Sequence, residues 1–264
     1  MSEYEYDNLR VTHDDGVATV TLDSTAGRNA LHLDMTDEMV DAAATLGEDP
    51  DTRCIVLTHD GDFYGAGADL SQFDADESDA PGLRQLAGRL HEALIQFHQA
   101  EVPVLGAVDG IAAGAGFSLA IFPDIVLLSD EARLEYAYPR IGLIGDGGST
   151  FFLPRLVGLR AAREIALLDE PVTPERAVEL GLATEVVPTA DFDDRVDELA
   201  GQLASGPTHA FGTTKRLMTE SFDRSLESQL AAETEAMAEA THTEDYSRGL
   251  SAFFGKDDPD FVGR

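Results

Sequence analysis

Apolar and polar positions along the chain fall into segments with two different periods. Between Leu9 and Leu22, Val11 and then Val17, Val20 and Leu22 flank Asp14-Asp15-Gly16, which predicts a β-hairpin. The Asn29–Met35 segment predicts the opening of a helix that runs to about Leu46. Arg53–Thr58 and Val102–Val108 are short apolar runs of buried-strand type, and between them Leu83, Leu86, Ala87, Leu90, Leu94 and Phe97 recur at helical spacing. The stretch Asp74–Gly82 is acidic, contains glycine and proline and has no period, so it reads as a mobile loop. Ile121–Leu128 reads as a helix passing into a strand around Ile125-Val126-Leu127-Leu128. Thr173-Pro174-Glu175 carries a helix cap followed by proline at the first helical position; Gly181 closes that helix and Ala183–Val187 is a further strand. From about Asp191 the pattern is helical, broken at Ser205-Gly206-Pro207. Strands alternating with helices predict a largely parallel α/β core over residues 1–190, followed by a helical region over 191–264. That helical tail is too thin for a core of its own and is expected to pack on the body or on a neighbouring subunit.

Two of the strands run into the same kind of turn. Arg53–Thr58 leads to Gly65-Ala66-Gly67-Ala68-Asp69-Leu70, and Val102–Val108 leads to Gly114-Ala115-Gly116-Phe117-Ser118-Leu119. Glycine lets the backbone turn tightly and approach a ligand. The first N–H groups of a helix are unpaired and lie at the positive end of its dipole. Two such turns brought together aim two backbone N–H groups at one oxygen, the arrangement that stabilises an enolate or a tetrahedral intermediate. Neither turn has the third glycine of the dinucleotide fingerprint or the Gly-Lys-Ser/Thr ending of a phosphate loop.

Composition narrows the partners. The 264 residues include 18 Lys+Arg and 50 Asp+Glu, a formal net charge of −32. That balance argues against nucleic acid and against anionic membrane surfaces, both of which are bound through lysine and arginine. The acids are spread over the whole chain on an interior of ordinary, 43% hydrophobic, composition. This pattern predicts a protein of a high-salt cytoplasm, where self-repulsion is screened. The screening length grows from about 3 Å at 1 M salt to about 10 Å at 0.1 M. Activity and thermal stability are therefore expected to fall as salt is withdrawn; a melting temperature equal in dilute and multimolar KCl would contradict this. The single cysteine, Cys54, lies in an apolar strand and reads as core. Met1-Ser2-Glu3-Tyr4-Glu5 is acidic and unlike a secretory leader, and no apolar run reaches membrane-spanning length, so a cytoplasmic location is expected. The seven histidines show no metal-ligand spacing, so no metal is expected. His91 and His98, seven apart on one helix face, read as partly buried structural residues.

Taken together, these segments resemble the enoyl-CoA hydratase/isomerase (crotonase) superfamily. The resemblance rests on Asn29-Ala30-Leu31 with Met35, Phe63 with Ala66-Gly67-Ala68-Asp69-Leu70, Val108-Asp109-Gly110 with Ala112, Gly114 and Gly116, Asp124-Ile125-Val126, Phe152–Gly158 and Ala177–Val187. It implies an α/β spiral of β-β-α units with a helical C-terminal trimerisation region, and hence a homotrimer or a dimer of trimers. It implies an acyl-CoA thioester substrate, with coenzyme A as part of the substrate and no separate cofactor. It places the oxyanion donors at the backbone N–H groups of Ala66 and Ala115, and substrate contacts at Arg28, Ala30, Ala68, Asp69, Leu70, Gly114, Ser118, Tyr138 and Lys256. Lys215, Arg216 and Lys256 are candidates for the CoA phosphates.

The positions that match the two water-handling glutamates of family hydratases are Ser118 and Tyr138 here, so the chain departs from the hydratase pattern at both. One carboxylate remains in a suitable place, Asp146, in the glycine-rich turn that ends the segment Arg140–Thr150. That segment resembles the 1,2-epoxyphenylacetyl-CoA isomerase and enoyl-CoA isomerase branch, in which an aspartate at this place is the base. A single base suffices to move a proton from one carbon to another. The resemblance therefore implies an enoyl-CoA isomerase with Asp146 as base; an enoyl-CoA hydratase and a catalytically silent CoA-ester-binding protein are the alternatives.

Overall fold

The computed structural model describes residues 5–264; Met1-Ser2-Glu3-Tyr4, most of the acidic start discussed above, lies outside the described residues. The chain opens with the expected hairpin, β1 (Leu9–Asp14) and β2 (Val17–Leu22), antiparallel across Asp15-Gly16. α1 spans Leu33–Glu48 and therefore starts four residues after Asn29. The reason is that Asn29 is a junction, not a helical residue. Its φ is +49°, its Oδ1 accepts from Ser24 N, and its Nδ2 donates to the carbonyls of Asp60 and Phe63.

The next segments repeat one pattern three times. β3 (Cys54–His59) and β4 (Phe63–Gly65) precede α2 (Ala80–Gln99). β5 (Val104–Val108) and β6 (Ile111–Ala113) precede α3 (Ala115–Ile121). β7 (Ile125–Ser129) and β8 (Arg133–Glu135) precede α4 (Ser149–Leu156). In each repeat the first strand joins a six-stranded sheet of order β1-β2-β3-β5-β7-β9 and the second joins a three-stranded sheet of order β4-β6-β8. The sixth strand of the large sheet, β9 (Glu185–Val187), follows α5 (Gly158–Leu168) and α6 (Pro174–Leu180). All pairings except β1–β2 are parallel, so the chain advances as a spiral of β-β-α turns. α6 has the predicted punctuation: Thr173 Oγ1 accepts from Arg176 N, and Gly181 closes the helix at φ +82°.

Side-chain alternation sorts the large sheet into two apolar faces. Ile55, Leu57, Val104, Val108, Val126 and Leu128 face the main core with α1, α2 and α3. Cys54, Val56, Leu105, Ala107 and Leu127 face outward and are covered by Phe192, Ala200 and Ala204 of α7 (Phe192–Ala204). The helical region thus begins as the second cover of the sheet. α8 (Thr208–Glu220), α9 (Leu226–Ala240) and α10 (Glu244–Gly255) complete it, after the expected break at Ser205-Gly206-Pro207. Burial among apolar neighbours, with Asp124 close by, pushes the Cys54 thiol up to about 12, as befits a core residue.

The stretch expected to be a mobile loop, Asp74–Gly82, is partly helical. Glu77–Asp79 forms a 3-10 turn, and α2 begins at Ala80 and includes Gly82. The acids that hid this from a pattern search are caps: Asp76 accepts from Ser78 N, and the Asp79 carboxylate accepts from the backbone N–H groups of Asp74, Ala75 and Asp76.

Candidate active site

The two Gly-Ala-Gly turns lie against each other, backbone to backbone. A Cβ added at Gly116 would land on the Gly65 carbonyl oxygen, and one added at Gly65 would sit 3.0 Å from the Gly116 Cα. Gly67 and Gly114 also face each other, less tightly, a Cβ on either reaching the other's Cα at 3.6 Å. Only chains without side chains at these places can bring β4 and α3 together, and the contact forms one end of a cavity of about 530 Å³. Ala66, Ala68, Gly114 and Ala115 line it together with Leu86 and Leu90 of α2 and with Tyr138, Leu143 and Asp146.

Hydrogen bonding corrects the expected donor pair. The Ala66 N–H already donates to the Arg28 carbonyl at 3.0 Å, so it is not free for a ligand oxygen. The parallel bridge of Leu31 with Ala68 engages its neighbours, Leu31 N donating to Gly67 O and Asp69 N to Leu31 O. The N–H of Ala68 itself has no partner among the described residues, and neither does that of Ala115, the first residue of α3. The free pair at the cavity end is therefore Ala68 and Ala115. Ala68 had been expected only as a substrate contact.

Asp146 stands in the cavity wall, on the loop before α4. Its Oδ1 lies 2.6 Å from Nε2 of His91 on α2, while Oδ2 has no hydrogen-bond partner among the described residues. His91, expected as a partly buried structural residue, is exposed and meets Asp146. Its position on α2 continues the stripe of Leu83, Ala87 and Leu94, and the loop carrying Asp146, 55 residues later, gives it a partner. A second cavity of about 440 Å³ is lined by His91, Leu94, Ile95, His98, Phe151 and Phe152, and Asp146 borders both cavities. His98 is largely structural, as expected: it packs edge-on to Phe152 at 5.3 Å, and burial lowers its pKa.

The wall contains a second carboxylate, Glu135, but both its oxygens are engaged, Oε1 by Arg133 and Oε2 by Arg140. Arg140 also reaches Asp169 at 2.7 Å, and Asp169 accepts from the Ala137 N–H. These ion pairs brace the turn that carries Tyr138. They do not supply a base.

The remaining expected residues divide. Leu70, Gly114 and Tyr138 line the cavity with Ala68. Ser118 does not; it is fully buried, with its hydroxyl on the Asp146 carbonyl. Asp69 is a cap, accepting from Ser71 N, Ser71 Oγ and Gln72 Nε2, and these bonds hold its carboxyl below the usual range. Ala30 is tied into the preceding loop through Gly27 O and Ser24 Oγ. Arg28 stacks over Phe63 at the mouth of a separate polar cleft with Asn29, Asp60 and Asp62. Lys215 points inward, its Nζ 2.8 Å from Asp124 and donating to Val102 O, so it is not available to a CoA phosphate. Arg216 is exposed beside Glu220, and Lys256 closes α10 in a left-handed conformation away from the cavity of its own chain. No cluster of metal-ligating side chains occurs among the described residues.

A spiral of β-β-α turns with two free N–H groups at an apolar cavity and, of the two carboxylates in its wall, one with an oxygen left unengaged defines an enzyme of acyl-thioester chemistry. The chain belongs to the enoyl-CoA hydratase/isomerase family, whose profile matches residues 12–264. It is 36% identical to a probable enoyl-CoA hydratase of Rhodobacter capsulatus over 98% of this chain and 99% of that one. It is 34% identical to the 1,2-epoxyphenylacetyl-CoA isomerase of Escherichia coli, covering 94% and 96%. It is 31% identical to the 4-chlorobenzoyl coenzyme A dehalogenase-2 of an Arthrobacter species, covering 97% and 94%. Among solved structures, a putative enoyl-CoA hydratase from Streptomyces coelicolor superposes with a TM-score of 0.90 at 31% identity, covering 98% of this chain and 96% of that one. The crotonase fold implied by the motifs is thus the fold of this chain.

Proposed function

We propose that this enzyme is an enoyl-CoA isomerase. The observation that carries the reading is the solitary carboxylate: Asp146 presents an unengaged Oδ2 to the cavity, Glu135 is occupied, and Ser118 and Tyr138 hold no carboxyl group. With the thioester oxygen between the N–H groups of Ala68 and Ala115, Asp146 takes a proton from the carbon next to the carbonyl. The electron pair delocalises into a dienolate whose oxygen those donors stabilise. Asp146 then returns the proton two carbons along and the double bond has moved, with nothing added or lost. His91 holds Oδ1, so that Oδ2 is the oxygen that works.

Incubation with 3-enoyl-CoA and 2-enoyl-CoA in molar salt, followed by mass detection and chromatography, tests this. Isomerisation gives a shifted product of unchanged mass. A gain of one water identifies a hydratase, and an unchanged substrate a binding protein; either overturns the reading.

The His91–Asp146 contact favours one second reading. A carboxylate beside an imidazole also suits covalent catalysis, the carboxylate attacking an electrophilic carbon and the imidazole taking a proton from the water that cleaves the resulting ester. A halogenated aroyl-CoA such as 4-chlorobenzoyl-CoA is the substrate for that chemistry, and chloride release is its signature.

The proposed assembly is a homotrimer or a dimer of trimers. Leu226, Leu230 and Met237 on α9 and Leu250, Phe253 and Phe254 on α10 are exposed, Phe253 at 76% and Met237 at 75%, an apolar surface that asks for a partner. Light scattering in molar salt is expected to return three or six chains; a stable monomer would contradict the assembly.

A further inference from the structure

We propose that Ser118 and Tyr138 are positioning residues that lock the backbone carbonyl of Asp146, and so aim its carboxylate into the cavity. The proposal rests on the reading of Asp146 as the base. Three oxygens form a closed triangle: Ser118 Oγ lies 2.7 Å from Asp146 O, Tyr138 OH lies 3.1 Å from the same oxygen, and the two hydroxyls lie 3.1 Å from each other. The Ser149 N–H reaches the carbonyl at 3.1 Å as well.

The hydrogens can be assigned. A carbonyl offers two lone pairs, and each hydroxyl has one proton to give. Ser149 N–H takes one lone pair and one hydroxyl the other, and the second hydroxyl donates to the first. Every donor is used, and the carbonyl is held whichever hydroxyl takes the direct bond. Tyr138 is buried, which raises its phenol pKa, so it remains a donor across the working range.

The loop is shaped for this contact. Gly147 has φ +57°, and a Cβ there would sit 2.8 Å from Ser118 Cβ. The absence of a side chain at Gly147 thus lets the loop press against α3 until the carbonyl meets the hydroxyls. Ser118 is fully buried under that loop. The two hydroxyls therefore do not shuttle protons. They set the height and tilt of the residue that does, from below, while His91 fixes the carboxylate from the side. A group held at its backbone and at one carboxylate oxygen has lost most of its freedom before substrate arrives, and pre-organisation of this kind lowers the barrier.

The test uses the whole enzyme and three variants, Ser118→Ala, Tyr138→Phe and the pair combined. Each single variant leaves one hydroxyl on the carbonyl, so kcat is expected to fall only about threefold. The double variant is expected to lose at least about 10-fold in kcat, more than the product of the two singles. KM should stay within about twofold, because the N–H donors are untouched and Tyr138→Phe keeps the ring that lines the cavity. Amide hydrogen exchange over residues 143–149 should rise about 10-fold in the double variant alone, at nearly unchanged melting temperature. Exchange and kcat both equal to wild type in the double variant would overturn the proposal, as would a loss of activity that merely tracks loss of folded protein. If wild-type enzyme shifts no double bond, the isomerase reading fails. The exchange measurement then decides the lock independently: faster exchange over 143–149 upholds it and unchanged exchange overturns it.

Discussion

Replacing Asp146 by asparagine is expected to lower isomerase turnover at least about 10²-fold, the scale of a positioned general base. The substitution keeps the shape and an oxygen for His91 to bond, but removes the group that accepts a proton. Binding of an acyl-CoA should change by less than about twofold, since the N–H groups of Ala68 and Ala115 and the apolar walls remain. Exchange of the substrate's proton next to the carbonyl with deuterated water should fall in parallel, because exchange and isomerisation share the same first step. Turnover and exchange at wild-type level in the variant would move the chemistry to another residue.

The second large effect is expected at Gly116. A methyl group there meets the Gly65 carbonyl, backbone against backbone, with no flexible side chain to move aside. Overpacking of a core costs about 1–3 kcal/mol or somewhat more, and this site belongs at or beyond the upper end. In a chain of this size about 3 kcal/mol corresponds to a melting temperature lower by about 6–12 °C. Activity should be lost even at temperatures where Gly116→Ala is folded, because β4 and α3 must separate and the N–H groups of Ala68 and Ala115 no longer converge. Thermal melts with activity assays at low temperature check both parts. A variant with native melting and native turnover would show that the two turns need not touch.

Much of this arrangement was legible in the chain before its structure. The period-two strands, the hairpin at Asp15-Gly16, the cap at Thr173 and the doubled glycine turns are local signals, each written within a few neighbouring residues. The features that escaped are those decided by residues far along the chain. Which N–H of the first turn is free depends on the Arg28 carbonyl, delivered by a loop 38 residues earlier, and that contact moved the donor from Ala66 to Ala68. His91 acquired a role only through Asp146. Lys215 looked like a phosphate contact until Asp124 and the Val102 carbonyl drew it inward. The acids of Asp74–Asp79 looked like solvent-loving loop residues, yet their oxygens close a helix end. Side chains whose partners are non-local carry no local pattern.

The solitary carboxylate also has a stereochemical consequence. A dienolate is planar, and its oxygen is pinned at one end by two backbone donors, so the plane cannot turn over during the reaction. Asp146 belongs to the cavity wall, and a single side chain can reach that plane from one side only. On the proposed isomerase mechanism, the proton removed and the proton returned are expected to travel over the same face, a suprafacial rearrangement. A fraction of product should then carry the very hydrogen that left the substrate, since the other carboxylate of the cavity wall, Glu135, is held by Arg133 and Arg140.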